Sequence, residues 1–325
     1  MAFSPLGLDA LKIRLKPMLG RVTGQGVRVH VQPDLDSPTV VKKQRDEIVA
    51  LLEEISSPDG PLHNPRWYRL DEGYIHSAYI QRVDDAHLNA PVSHIPGPGI
   101  LGEITVPFTQ SMYKNRQGYW IDLYRLYFGS VHWITAVEET QPGEVFYCLT
   151  DEWLRIDYKV PAEHVRPIPI EEYAPFENGQ PAASRRLEIS IKEQILAAYE
   201  GDDLVREARI STGKRYMETP RGEFRVNRKY PSKHMGNGGL TSDPRAYELP
   251  GVPWVSFFTD TGIAFHGTYW HDNFGEPTSH GCVNLRSEDA LWLFRWTTPA
   301  YISQGEAELP TWKTASRSGT PVFVE

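Results

Sequence analysis

The chain has 325 residues and a formal net charge of −8, and with no run of Lys and Arg it is not expected to bind nucleic acid. Its 40% hydrophobic and 23% charged residues are a globular composition, but nowhere do eighteen apolar residues follow one another, so no integral membrane helix is expected. At this length two or three domains are expected. In residues 1–24, Leu8, Leu11, Ile13 and Leu15 space a short amphipathic piece that Pro17 interrupts, and no function attaches to it. The N-terminus also lacks a charged region followed by an apolar core, the pattern of an export signal. Val27, Val29 and Val31 alternate with Arg28 and His30 as a half-buried strand, followed by the turn-rich residues Pro33 to Pro38. Trp67 to Leu70 and Tyr74 to Ile80 read as two strands around the turn Asp71-Glu72-Gly73. These elements define a first domain over 25–90, closed by the Pro- and Gly-rich boundary that ends in Ile95-Pro96-Gly97-Pro98-Gly99.

Residues 100–168 hold short strand-like segments rich in Tyr and Trp and form a second domain. Its aromatics read first as core and rim, with stacking on sugar rings as the functional alternative. Residues 169–183 are a linker by composition. Beyond it, Leu187 to Ile191, Ile195 to Tyr199 and Leu204 to Ile210 predict a β-meander, and Glu223 to Tyr230, Trp254 to Phe258 and Ile263 to Gly267 predict further strands. The polar, Gly- and Pro-rich stretch Pro231 to Gly251 is expected to be a long lid that orders over the site. Ser287 is expected to cap a helix that carries Glu288 and Asp289 in its first turn, runs to Trp296 and stops before Pro299. Thr320 to Val324 would be a last strand. The expected fold class is therefore mainly β, with one or two helices in the part spanning 184–325.

The chemistry concentrates between His266 and Arg286, where HGTYWHDNFGEPTSHGCVNLR gathers three histidines, a cysteine and several glycines. A strand delivering His266 and a glycine-containing loop delivering Cys282 is what thiol acyl transfer needs, because a free thiol is mostly protonated at neutral pH. That arrangement predicts a thiolate beside an imidazolium, and alkylation that stays fast well below the pH at which ordinary thiols slow. The other cysteine, Cys148, sits in the apolar run Val145 to Leu149 and reads as a small core residue rather than a disulfide partner. A zinc site built from His266, His271, His280 and Cys282 is the competing reading of the same window. The acyl-transfer reading calls for no metal and no cofactor.

The histidine, the spacer and Ser279-His280-Gly281-Cys282-Val283-Asn284 resemble the signature of the L,D-transpeptidases, whose YkuD-type catalytic domain cross-links bacterial peptidoglycan. A second run, Ser211-Thr212-Gly213-Lys214 through Thr219-Pro220-Arg221-Gly222-Glu223-Phe224, is similar to a stretch preceding the site in that family, and together they cover residues 184–325. The resemblance implies a β-sandwich catalytic domain in which Cys282 attacks a donor stem peptide and His266 is the base, oriented by the Gly267 carbonyl. The backbone around His280, Gly281 and Cys282 would bind the oxyanion, and His280 would support the loop. Ser279, Asn284 and Arg286 would hold the loop or a substrate carboxylate, and Tyr269 and Trp270 would wall the donor pocket. The expected product is a 3→3 cross-link between donor and acceptor stem peptides, with L,D-carboxypeptidase action or noncatalytic wall binding as alternatives. GYIHSAYI, ending at Ile80, looks like the close of a bacterial SH3-like barrel, and 100–168 is read as a second one. A monomer is expected, working outside the cytoplasmic membrane, with a targeting segment lost from before Met1.

Overall fold

The computed structural model describes residues 18–176, 184–301 and 318–325. The predicted amphipathic piece around Leu8 to Leu15 lies outside the described residues, as does 177–183 of the predicted linker. The fold is mainly β throughout.

The first unit begins earlier than the alternation of Val27 to Val31 indicates. Met18–Val22 is a strand that pairs with Ile48–Leu51 on one side and Ile80–Arg82 on the other. Two of its buried positions are Gly20 and Arg21, so it carries no apolar alternation to read. A five-stranded antiparallel sheet packs on it around Val22, Val29, Leu51, Tyr68 and Ile75. The predicted strand Tyr74 to Ile80 is broken: Tyr74–His76 ends in a 3-10 turn over Ser77–Tyr79, where His76 Nδ1 accepts the Ala78 N–H. The second unit is a seven-stranded antiparallel sheet from Ile100 to Pro167 with its own core of Leu123, Tyr124, Tyr147 and Tyr158. Its aromatics are divided, since Tyr119, Trp120 and Trp153 remain exposed.

The predicted linker is partly structured. Ile170–Tyr173 forms one helical turn, and Tyr173 stacks on Trp254 with ring centroids 6.1 Å apart, which joins it to the core of the third unit. That unit sandwiches two sheets. One runs in the order Asp203–Arg209, Ile195–Glu200, Arg185–Ser190, Pro321–Val324, Gly222–Arg225, and contains the predicted meander. The other runs Arg228–Gly236, Glu248–Phe257, Ala264–Gly267, Val283–Leu285. Glu223 to Tyr230 is therefore not one strand: the chain crosses from the first sheet to the second at Val226 and Asn227, both buried. The stretch Pro231 to Gly251 is not a long loop either. Its two ends, 231–236 and 248–251, belong to the hairpin strands Arg228–Gly236 and Glu248–Phe257, and 237–247 forms the tip.

The helix Ser287–Trp296 packs Ala290, Leu293, Phe294 and Trp296 into the sandwich. Ser287 is its first residue; the cap position belongs to Arg286, whose side chain makes no capping bond. At the other end the buried Lys229 donates to the carbonyls of Phe294 and Thr297 at 2.6 and 2.5 Å, covering carbonyls that the helix leaves unpaired.

The three units meet at a buried ion cluster. Arg21 donates to Asp46 at 2.8 Å, stacks 4.1 Å above Tyr127 and donates to the Tyr269 carbonyl at 3.1 Å. Asp46 also accepts from Arg125 at 2.7 Å. Replacing Asp46 with alanine strands the Arg21 guanidinium in a site from which water is excluded. Chemical denaturation is expected to show a loss of about 3–5 kcal/mol for Asp46→Ala, and an unchanged midpoint would mean that the cluster does not hold the units together.

Candidate active site

The strand Ala264–Gly267 lies inside its sheet, antiparallel to Glu248–Phe257 and parallel to Val283–Leu285, with Phe265 opposite Val283 and His266 opposite Asn284. This register brings His266 beside the segment that follows Cys282. His266 is buried, and its Nδ1–H donates to the Gly267 carbonyl at 3.0 Å. With the proton placed on Nδ1, Nε2 keeps its lone pair. Burial pushes His266 down to about 4 against the opposing pull of that carbonyl. Burial also pushes the Cys282 thiol above its ordinary value, opposed by the Ala264 N–H. Both shifts favour the neutral forms, because desolvation penalises whichever form is charged. These directions favour a thiol and a neutral imidazole over the predicted thiolate and imidazolium.

The loop carrying Cys282 is held from beneath by the second motif. Ser211 and Asn284 exchange backbone hydrogen bonds of 3.0 and 2.9 Å, Lys214 N donates to the Ser279 carbonyl at 3.0 Å, and Thr219 Oγ1 donates to the Gly281 carbonyl at 2.8 Å. Thr219 Oγ1 in turn accepts the Gly213 N–H at 3.0 Å. A Cβ at Gly213 would stand 2.0 Å from the Met217 carbonyl, so only glycine fits that approach. Gly281 is constrained twice: its φ of +120° is rarely open to other residues, and a Cβ would sit 2.8 Å from Ile263 Cδ1. Ser279 closes the loop by donating to the Cys282 carbonyl at 2.5 Å and accepting the Gly281 N–H at 3.0 Å.

Cys282 and His266 line one cavity of about 270 Å³. Met235, Leu249 and Trp270 give it apolar walls; Tyr247, His271, Ser279 and His280 give it polar ones. Tyr247 comes from the hairpin tip, so the hairpin supplies the wall that a lid was expected to supply. His280 stands at the rim, with Lys214 Nζ donating to Nε2 at 3.2 Å and Tyr247 Oη 3.1 Å from Nδ1. Its basic nitrogen is thus occupied by an ammonium.

Residues 184–324 match the family model of the YkuD L,D-transpeptidase catalytic domain. They form an L,D-transpeptidase catalytic domain. Two curated relatives are similar to this chain. One is the "Putative L,D-transpeptidase YkuD" of Bacillus licheniformis, 28% identical over 111 residues, which are 33% of this chain and 57% of the relative. The other is the "Putative L,D-transpeptidase YqjB" of Bacillus subtilis, 32% identical over 94 residues, 26% of this chain and 51% of the relative. The chain thus spans little more than half the length of these relatives. Among solved structures, the catalytic domain of the Enterococcus faecium L,D-transpeptidase is 25% identical, with a TM-score of 0.31 over 43% of this chain and 96% of that one.

Several residues singled out in the sequence stand elsewhere in this L,D-transpeptidase domain. Trp270 does wall the cavity, but Tyr269 turns away from it, donates to the Pro250 carbonyl at 2.9 Å and packs at the junction with Tyr127. Arg286 does not reach the cavity and instead pairs with Asp272 at 2.9 Å. The Asn284 side chain, expected to bond the loop backbone, meets His271 Nε2 at 2.8 Å. His271 Nδ1 accepts the Asn273 N–H at 3.0 Å, which assigns the ring proton to Nε2 and calls for the Asn284 amide, placed with Nδ2 toward the ring, to be turned so that its oxygen accepts. His271 is the wall residue that the acyl-transfer reading missed. It lies in the same sequence window, but nothing in its spacing separates a cavity wall from a core histidine. Burial pushes it, like His266, down to about 4.

Proposed function

We propose that this domain is a cysteine acyltransferase that uses peptidoglycan stem peptides as donor and acceptor. The observation that carries the reading is the pairing of Cys282 with a His266 whose Nδ1 is fixed by Gly267, both lining one cavity. His266 Nε2 takes the thiol proton as Cys282 Sγ bonds to the carbonyl carbon of an L,D peptide bond. The negative oxygen is met by backbone N–H groups. The Gly281 N–H is already given to Ser279, which leaves those of His280 and Cys282 for this role. His266 returns the proton to the departing amine as the C–N bond breaks, leaving a thioester. An acceptor amine then attacks, losing its proton to His266, and the thiol leaves with that proton. The product is a 3→3 cross-link.

Trp270, Met235 and Leu249 would hold the apolar part of the donor stem, with His280 as a support for the loop. The two β units over 18–83 and 100–168 are proposed to be small barrel-like modules that orient the catalytic domain on the wall, outside the cytoplasmic membrane. Mass spectrometry of the products from a purified tetrapeptide muropeptide tests the reaction. A covalent dimer lacking one D-alanine is the expected product; a tripeptide alone would assign the thioester to water, and unchanged muropeptide would remove the reading.

A further inference from the structure

Behind the catalytic cavity lies another of about 290 Å³, where the first unit, the middle sheet and the start of the helix Ser287–Trp296 meet. His271 lines both and is their common wall. Tyr68 is completely buried here, and its hydroxyl has no hydrogen-bond partner among the described residues. Buried donors without partners are rare in folded proteins, which points to an acceptor from outside the chain. Burial pushes this phenol up to about 12, so it remains a donor at neutral pH. Arg66 Nε is likewise buried without a partner, although Arg66 Nη2 bonds Asp272. Arg286 holds the same carboxylate at 2.9 Å, so one negative charge stands between two guanidiniums. Of the other acids, Glu103 is held by Arg166 at 2.8 Å, and Glu288 is exposed at the rim. The Arg66 and Arg286 side chains are 28% and 33% exposed, so a solute can enter from solvent.

We propose that this junction cavity is a second binding site, which takes the free carboxylate of a peptide on the Tyr68 hydroxyl and the Arg66 guanidinium. A carboxylate suits the donors, because its two planar oxygens match a guanidinium and still accept from a phenol. That the carboxylate belongs to a peptide rests on the acyl-transfer reading; that the site takes a carboxylate does not. A peptide bound there would lie against His271, one side chain away from Cys282, in the position of a regulator or of the far end of a stem.

The test is calorimetric titration of the full chain carrying Cys282→Ala with N-acetyl-D-alanyl-D-alanine, its C-terminal amide and inorganic phosphate. The free acid is expected to bind more tightly than the amide or phosphate. Adding Tyr68→Phe is expected to weaken the acid about tenfold or more, the loss of one hydrogen bond to a charged group, with no fall in melting temperature because the hydroxyl has no protein partner to lose. Equal affinity for acid and amide, unchanged affinity in Tyr68→Phe, or no binding of the acid would overturn the site, and phosphate binding as tightly as the acid would overturn the peptide. Tyr68 lines the junction cavity and not the catalytic one, so its variant separates the two locations. With Cys282 already replaced, a negative result leaves the acyl-transfer reading standing, and a wild-type chain that forms no thioester leaves a positive binding result standing.

Discussion

Cys282→Ala is expected to lower acyl transfer from a tetrapeptide stem by about 10⁴-fold or more, the scale on which removal of a covalent nucleophile acts. The fold should survive. Cys282 is half-buried and its Sγ makes weak contacts, 3.9 Å from the Gly262 carbonyl and with the Ala264 N–H, so truncation costs about 1 kcal/mol of stability. The loop itself is held by Ser279, Thr219 and the exchange between Ser211 and Asn284, none of which involves the thiol. Cys148→Ala is the control, because burial and Glu138 push that thiol up to about 12 and it lies in the middle sheet. Turnover that persists in Cys282→Ala, or that is lost with Cys148→Ala, would contradict the assignment.

His266→Ala is expected to cost about 10²–10⁴-fold, the usual contribution of a positioned general base. The pH dependence separates a neutral pair from an ion pair. Only neutral His266 can accept the thiol proton, so acyl transfer should rise as pH increases through about 4, where His266 loses its proton, and stay level across neutrality. The thiol shift has the opposite direction. In a Cys148→Ala background, iodoacetamide alkylation of Cys282 should therefore climb with pH and still be climbing where an ordinary thiol has levelled off. Fast alkylation persisting into acid would restore the thiolate and imidazolium pair. His280→Ala should disturb these profiles less, because Lys214 already holds its Nε2.

What the sequence disclosed depended on whether the decisive interaction was local. The nucleophile loop was legible, since Ser279, Gly281 and Cys282 act within four residues of one another and glycine answers a backbone requirement at its own position. The meander over Arg185 to Arg209 was legible too, because period-two alternation is local. Met18–Val22 was hidden by Gly20 and Arg21, whose burial depends on partners at Ile80 and Asp46 far along the chain. The extent of the lid was misread because glycines and prolines read as loop, whereas Pro231, Pro250 and Gly251 sit within paired strands. The desolvation of Cys282 and His266 was not legible for a related reason: proximity of two groups can be guessed from a motif, but desolvation depends on the walls that Trp270, Met235 and Leu249 build around them.

The central claim is that the acyl group passes through Cys282. Intact-protein mass spectrometry after rapid mixing with a tetrapeptide donor, in the absence of any acceptor, tests it most directly. One adduct with the mass of the donor minus D-alanine is expected, mapping to the peptide that contains Cys282, labile to hydroxylamine as a thioester, and absent in Cys282→Ala. An adduct on any other residue, or cross-linked product formed with no adduct on Cys282, would contradict the account.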